Sequence, residues 1–193
     1  RWVEHLVFKG ITFAHANWST PLQGNVVSQA ESSLPCGIQT EGMRDCAFEG
    51  CRFTQISSHA FELGLACKRN RIEACEFVDN GGGGIRIGPA RREDDDLIAS
   101  HNLIRDCLIA HNGRFLPASV GILLQFAHGN VIEHNDIYDM YYTGISSGWT
   151  WGLGETPTRN NIIAYNHIHD CLQDVLTDGA GIYTLGRSPG TVI

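Results

Sequence analysis

The sequence lacks the features that would mark a zinc-binding, membrane-spanning or nucleic-acid-binding protein. Its 193 residues contain no CxxC pair and no long apolar run, so neither a zinc cluster nor a membrane span is predicted. Only 14 basic residues accompany 21 acidic ones, and the formal net charge of −7 argues against nucleic acid or another polyanion as the partner. A neutral substrate suits this charge better.

An internal repeat dominates the sequence. The segments 130–139 and 161–170 match at their Asn, Ile, Asn, Ile and Asp positions with an offset of 31 residues. Carrying this frame backwards gives a column with steps of 40, 24, 32, 28 and 31 residues, whose members are Ile11, Cys51, Cys75, Cys107, Asn135 and Asn166. Flanking columns, three residues earlier and two later, are apolar in every copy, which predicts a stacked core.

The spacing within each copy predicts three short strands separated by bends. A step of two between inward positions is typical of a strand, whereas a step of three breaks the alternation. A third short strand recurs at 60–64, 84–88, 121–125, 144–148 and 181–185. We therefore predict an all-β fold, a right-handed parallel β-helix of about five to six coils, forming one domain over 1–193.

Smaller features complete this prediction. The segment 17–43 is predicted to be a loop inserted between the first two coils. Both chain ends lie within apparent strands, so we expect a fragment whose open ends are covered by remaining coils or caps. Seven cysteines form an odd set, and those in the repeat column are interpreted as reduced core residues. The two asparagines of that column predict a ladder of side-chain amides.

Two departures from the repeat are candidate functional features. The loop 148–160 is rich in glycine and carries Trp149 and Trp151, whose flat faces could stack on sugar rings or pack the loop on the coil. Asp178 occupies a position where no other coil has an acid. One coil earlier, Asp139 and Asp136 are candidates for the second carboxylate of a glycosidase pair, with Asp139 preferred, because coils stack about 4.8 Å apart.

The two candidate partner acids, Asp139 and Asp136, also have simpler explanations. Asp139 matches the recurrent turn acids Asp79 and Asp170, and aspartate is common in turns. Asp136 could form a surface ion pair with His167 on the next coil. His167 and His169 share an outward face and are candidate substrate contacts, and a surface polar cluster is favoured there over a metal site.

No metal and no cofactor is predicted from the sequence. The acidic run 93–96 is interpreted as a solvated loop, because calcium sites alternate ligands with turn residues.

The segments 142–152, 165–170 and 176–186 together resemble the β-helix glycoside hydrolases of family 141. The resemblance is specific over about residues 100–193. It implies α-L-fucosidase- or xylanase-like cleavage of complex, plant-type polysaccharide by two aspartates, with Asp178 as the motif acid. Trp149, Trp151 and Tyr183 would line the sugar site. It also implies secretion or a periplasmic location. Many members carry a bulkier residue where this chain has Gly179.

Two alternative functions fit the same fold. A polysaccharide lyase needs a basic residue to abstract a proton, and Arg187 is the one basic residue near Asp178 in the sequence. A non-catalytic adhesin or carbohydrate-binding scaffold would keep the coil but would not require Asp178 to break the pattern. Glycoside hydrolysis is therefore the preferred hypothesis.

Overall fold

The protein is a parallel β-helix, as predicted from the repeat. A computed structural model describes residues 2–25, 28–173 and 176–193. Within these ranges the chain forms short parallel strands and two single-turn 3₁₀ helices, Gln29–Glu31 and Asp95–Leu97. Neither of these helices has the length or apolar character needed to cross a membrane.

Three parallel sheets run along the stack of coils, each with six strands in the described part of the chain. The first sheet contains Val7–Lys9, Ala47–Glu49, Arg71–Glu73, Leu103–Arg105, Val131–Glu133 and Ile162–Ala164. The second contains Thr12–Ala14, Arg52–Thr54, Glu76–Val78, Leu108–Ala110, Asp136–Met140 and His167–Cys171. The third contains Cys36–Thr40, His59–Leu63, Ile85–Ile87, Ile122–Gln125, Ile145–Gly148 and Ile182–Leu185. A two-stranded pair joins Val3–Glu4 to Met43–Arg44.

The apolar columns predicted from the repeat are confirmed as the core. The central residues of neighbouring strands are in register, as in the pairs Phe48–Ile72 and Phe53–Phe77. The rings of Phe53 and Phe77 stack with their centroids 4.5 Å apart. Identical inward positions on successive coils therefore pack directly on one another. This packing fixes the register of the strands and so the points from which the loops depart.

Residues with a left-handed backbone mark the end of the second-sheet strands, directly after the strand in the first four coils and next to last within Asp136–Met140 and His167–Cys171. One residue of each coil has φ between 48° and 64° there, namely His15, Gln55, Asp79, His111, Asp139 and Asp170. Histidine, asparagine and aspartate tolerate this region better than most non-glycine residues. The prediction that the recurrent aspartates are turn formers is thus confirmed, and Asp139 has a structural role whatever its chemistry.

At another corner, one column of side chains accepts hydrogen bonds from buried main-chain N–H groups. Its members are Cys51, Cys75, Cys107, Asn135 and Asn166. The Cys107 and Asn135 amides donate to the Oδ1 atoms of Asn135 and Asn166, at 3.0 and 3.1 Å. The Cys51 amide donates to Cys75 Sγ at 3.4 Å. All seven cysteines are free. The predicted amide ladder and reduced cysteines are both confirmed, and the thiol takes the same acceptor role as the amide.

A second amide ladder was not identified from the sequence. It runs through the buried side chains of Asn70, Asn102, Asn130 and Asn161, in which each Oδ1 accepts the main-chain N–H of the preceding member at 2.9–3.0 Å. It begins at Cys46, whose N–H donates to Asn70 Oδ1. Both ladders place a polar acceptor where the turning backbone would otherwise bury an unpaired donor.

The segment 17–43 differs from its prediction as a loop. Its last part contains the strand Cys36–Thr40, which pairs with His59–Leu63 because Ile38 occupies the inward position opposite Phe61. Residues 28–34 lie over the outer face of the third sheet. There the Arg86 guanidinium, which also pairs with Glu62, donates to the carbonyls of Ser32 and Leu34. The inserted segment is therefore part of the wall of the coil.

The buried imidazole of His59 also holds this segment. Its Nδ1 accepts the N–H of Gly83 at 3.0 Å, so Nε2 carries the proton and donates to the Glu31 carbonyl at 3.1 Å. Burial, with a smaller contribution from the Arg86 charge, lowers the pKa of His59 from 6.5 to about 4. The folded protein therefore keeps this histidine neutral, and a proton on Nδ1 would oppose the Gly83 amide.

Exchanging Asn135 tests the equivalence of amide and thiol in the ladder. Asn135→Leu should leave the Cys107 N–H unpaired, at about 1–3 kcal/mol of unfolding free energy. Asn135→Cys should cost within about 1 kcal/mol because sulfur can still accept and donate there. Urea denaturation measures both. Equal losses for the two variants would contradict the shared role.

The neutral His59 predicts acid sensitivity. Because the folded pKa is below the unfolded value, stability is fully present above pH 6.5 and decreases as the pH falls towards about 4. The expected loss is about 3 kcal/mol. His59→Asn should reduce this slope between pH 6.5 and 4 and leave the contribution of His128, whose pKa burial also lowers, whereas His134→Asn, at an exposed corner, should keep the slope in full. Urea denaturation midpoints measured at several pH values test this prediction. An unchanged dependence of stability on pH in His59→Asn would refute the assignment of acid sensitivity to His59.

Candidate functional site

The candidate site lies on the outer face of the third sheet, between two sets of loops. The loop entering its last strand carries Asp178, and the loop leaving the strand Ile145–Gly148 carries Trp149 and Trp151. Outward positions on this sheet are in register across coils, in the order Glu62, Arg86, Leu123, Ser146 and Tyr183. The predicted sugar-binding residue Tyr183 thus lies on the same face as the two loops.

Tyr142 links three parts of the chain at this site. Its hydroxyl donates to the main-chain carbonyl of Asp178 at 2.8 Å and accepts from Gln29 Nε2 at 3.3 Å. Burial raises the pKa of Tyr142; the Gln29 hydrogen bond opposes this rise, and the negative charge of Asp178 adds to it. The phenol therefore stays protonated as a donor, and it fixes the backbone of the Asp178 loop.

Asp178 itself is exposed and has a left-handed backbone with φ of 60°. A cavity of about 260 Å³ lies next to its loop and is lined by Gln29, Ala118, Tyr142 and Thr177, among others. The following residue, Gly179, is closely packed, because a Cβ there would lie 2.3 Å from Leu172 Cδ2. The backbone at Gly179 is thus tightly packed, while the carboxylate of Asp178 remains accessible to a ligand.

Asp139 is a paired carboxylate. It accepts hydrogen bonds from His111 and Arg114 on the preceding coil and from Gln173 on the next. Burial alone would raise the pKa of Asp139, but the hydrogen bonds from His111, Gln173 and Arg114 together outweigh it and hold the pKa below its usual value. Asp139 is therefore ionised near neutral pH and lies at the corner from which the Asp178 loop departs on the next coil.

Asp136 occupies a different face. It lies on the outward side of the second sheet, where its Oδ1 is 3.0 Å from His167 Nδ1 and 3.4 Å from His169 Nε2. The hydrogen bond that His169 Nδ1 donates to the Asp170 carboxylate raises the pKa of His169. The predicted contacts of Asp136 with the histidines are present, and the cluster is separate from the third-sheet face that carries Tyr183.

The two tryptophans of the loop have different environments. Trp149 is 7% exposed and packs in a cluster with Ala30, Leu123 and Tyr142, whereas Trp151 is 68% exposed. Trp149 therefore holds the loop and the inserted segment on the third sheet. Trp151 is the free aromatic surface, and its role as a sugar contact stays a prediction.

Sequence reasoning missed several residues that build this site. Tyr142, Gln29, His111 and Arg114 contact the candidate acids or their loops, although none of them breaks the repeat in a way that marks it. Gln29 is 113 residues from Tyr142 in the chain. The unusual length of the segment between the first two coils was the one available signal.

Comparison with known proteins agrees with this architecture. A family model described as "Right handed beta helix region" matches residues 19–193. A solved structure named "Glycoside hydrolase" superposes with a TM-score of 0.92 and 27% sequence identity. The match covers 99% of this chain and 38% of that chain, so the chain spans well under half of its structural relative. No curated protein matches the sequence.

Replacing each tryptophan separates packing from binding. Trp149→Ala should lower the unfolding free energy by about 3–5 kcal/mol, because it opens a cavity under the inserted segment. Trp151→Ala should change it by no more than about 0.5 kcal/mol, as expected for an exposed residue. Thermal and urea denaturation measure both values. Similar losses in the two variants would contradict the difference in burial.

Proposed function

We propose that this chain, which belongs to the right-handed β-helix family, is a glycoside hydrolase acting on complex, plant-type polysaccharide. Its activity would be fucosidase- or xylanase-like, following the family resemblance of its last coils. The observation that carries the proposal is the position of Asp178. This exposed acid departs from the repeat beside a cavity lined by Tyr142 and on the face that carries Tyr183.

Two carboxylates would share the chemistry. Glycosidases need one protonated acid for the leaving oxygen and one ionised carboxylate as base or nucleophile. The hydrogen bonds on Asp139 favour its ionised form, so we assign it the second role. Asp178 would then take the other role, that of the proton donor, because its exposed carboxyl group is free to approach the leaving oxygen.

Asp136 is the weaker candidate for the second carboxylate. Its contacts with His167 and His169 direct it to the outer face of the second sheet. Asp139 instead lies at the corner that leads to the third sheet, as the loop of Asp178 does. This difference supports the pair of Asp178 and Asp139.

Aromatic contacts would bind the sugar. Trp151 offers an exposed face, and Tyr183 is half-buried on the sheet next to Ser146. Stacking of sugar rings on such faces suits a neutral substrate and the acidic character of the chain. The basic residue required by the lyase alternative, Arg187, lies in the loop leaving the third sheet, whereas Asp178 lies in the loop entering it.

Asp178→Asn tests the proposal in the intact protein. Loss of the general acid should reduce turnover of fucosylated or xylan oligosaccharides by about 10²–10⁴-fold with little change in stability. Asp106→Asn is the matched control, since Asp106 is also an exposed acid with a left-handed backbone but belongs to another corner. Undiminished turnover by a folded Asp178→Asn protein would refute the catalytic assignment.

A further inference from the structure

Three metal-ligating side chains converge on the outer face of the second sheet, apart from the candidate glycosidase site. His167 and His169 alternate on one strand and so face the same side, and Asp136 is in register with His167 on the neighbouring parallel strand. The nearest ligand atoms of the three residues all lie within 4.8 Å of one another. The register of two adjacent coils therefore creates the cluster.

The spacing of these atoms fits a small cation. Zinc ligands lie about 2.0–2.2 Å from the metal, so two ligands of a tetrahedral site are about 3.3 Å apart. The Oδ1 atom of Asp136 is 3.0 Å from His167 Nδ1 and 3.4 Å from His169 Nε2. Two of the three separations thus already have the value that a shared metal ion requires.

A supporting carboxylate orients one of the imidazoles. Asp170 Oδ2 accepts a hydrogen bond from His169 Nδ1 at 2.8 Å, which leaves Nε2 directed towards Asp136. Metal-binding histidines commonly donate their second ring nitrogen to such a carboxylate. The ring of His169 also stacks on Tyr138, with the centroids 4.8 Å apart. The imidazole is therefore held in a ligand-ready orientation.

We propose that Asp136, His167 and His169 form a binding site for a divalent transition-metal ion, represented by Zn²⁺. Two imidazole nitrogens favour such an ion over calcium or magnesium, which prefer oxygen ligands. Three protein ligands leave a coordination position open to solvent. The site is independent of the proposed glycosidase activity, and it assigns Asp136 a role other than that of the second catalytic carboxylate.

Calorimetric titration of the metal-free, untagged protein with ZnCl₂ tests the site. Saturable binding of one ion per chain is expected. His167→Ala, His169→Ala and Asp136→Asn should each weaken it by at least about tenfold, and Asp170→Asn by about 10–100-fold through the loss of the orienting hydrogen bond. If these side chains formed only a structural ion pair, there would be no zinc affinity for Asp170→Asn to reduce.

His134→Asn is the matched control, because His134 is an exposed histidine that stacks on Tyr165 at another corner. Its affinity for Zn²⁺ should equal that of the unmodified protein. All the substituted side chains are exposed or half-buried, and far-ultraviolet circular dichroism verifies that each variant is folded. The absence of saturable binding, or unchanged binding in His169→Ala, would overturn the proposal.

Discussion

The structure depends on the parallel register between successive coils. Each coil must place its inward side chains over those of the coil before it, and each bend must find a partner for its buried N–H groups. Side-chain amides and thiols in the column from Cys51 to Asn166 accept hydrogen bonds from these N–H groups. Residues with a left-handed backbone allow the chain to turn at the corners. Stability is thereby distributed over contacts between neighbouring coils.

This constraint leaves the loops free to diverge, and the candidate site forms where three of them meet. The inserted segment covers the outer face of the third sheet through His59 and Arg86, and it reaches the later coils through Gln29 and Tyr142. Tyr142 in turn holds the carbonyl of Asp178. An acid on a surface loop is thus positioned by contacts that span most of the described chain.

The outward faces of the second and third sheets have separate chemistry. Asp139, held ionised by its hydrogen bonds, lies near the corner between them and is the proposed partner of Asp178. Asp136 faces away from this corner and joins His167 and His169 in a cluster with the spacing of a metal site. Residues of one strand therefore make different contacts with the next coil, since Asp136 pairs with His167 there and Asp139 accepts a hydrogen bond from Gln173.

The sequence by itself determined the coil, its two apolar columns, the amide ladder at Asn135 and Asn166 and the exceptional position of Asp178, because these are periodic or break a period. It could not determine that Cys36–Thr40 is a strand, that Trp149 is buried while Trp151 is exposed, or which groups contact Asp139. Those outcomes depend on contacts between distant loops, such as Gln29 with Tyr142. Only the tertiary structure decides them, since loop packing follows shape and hydrogen bonding in space and leaves no period in the chain.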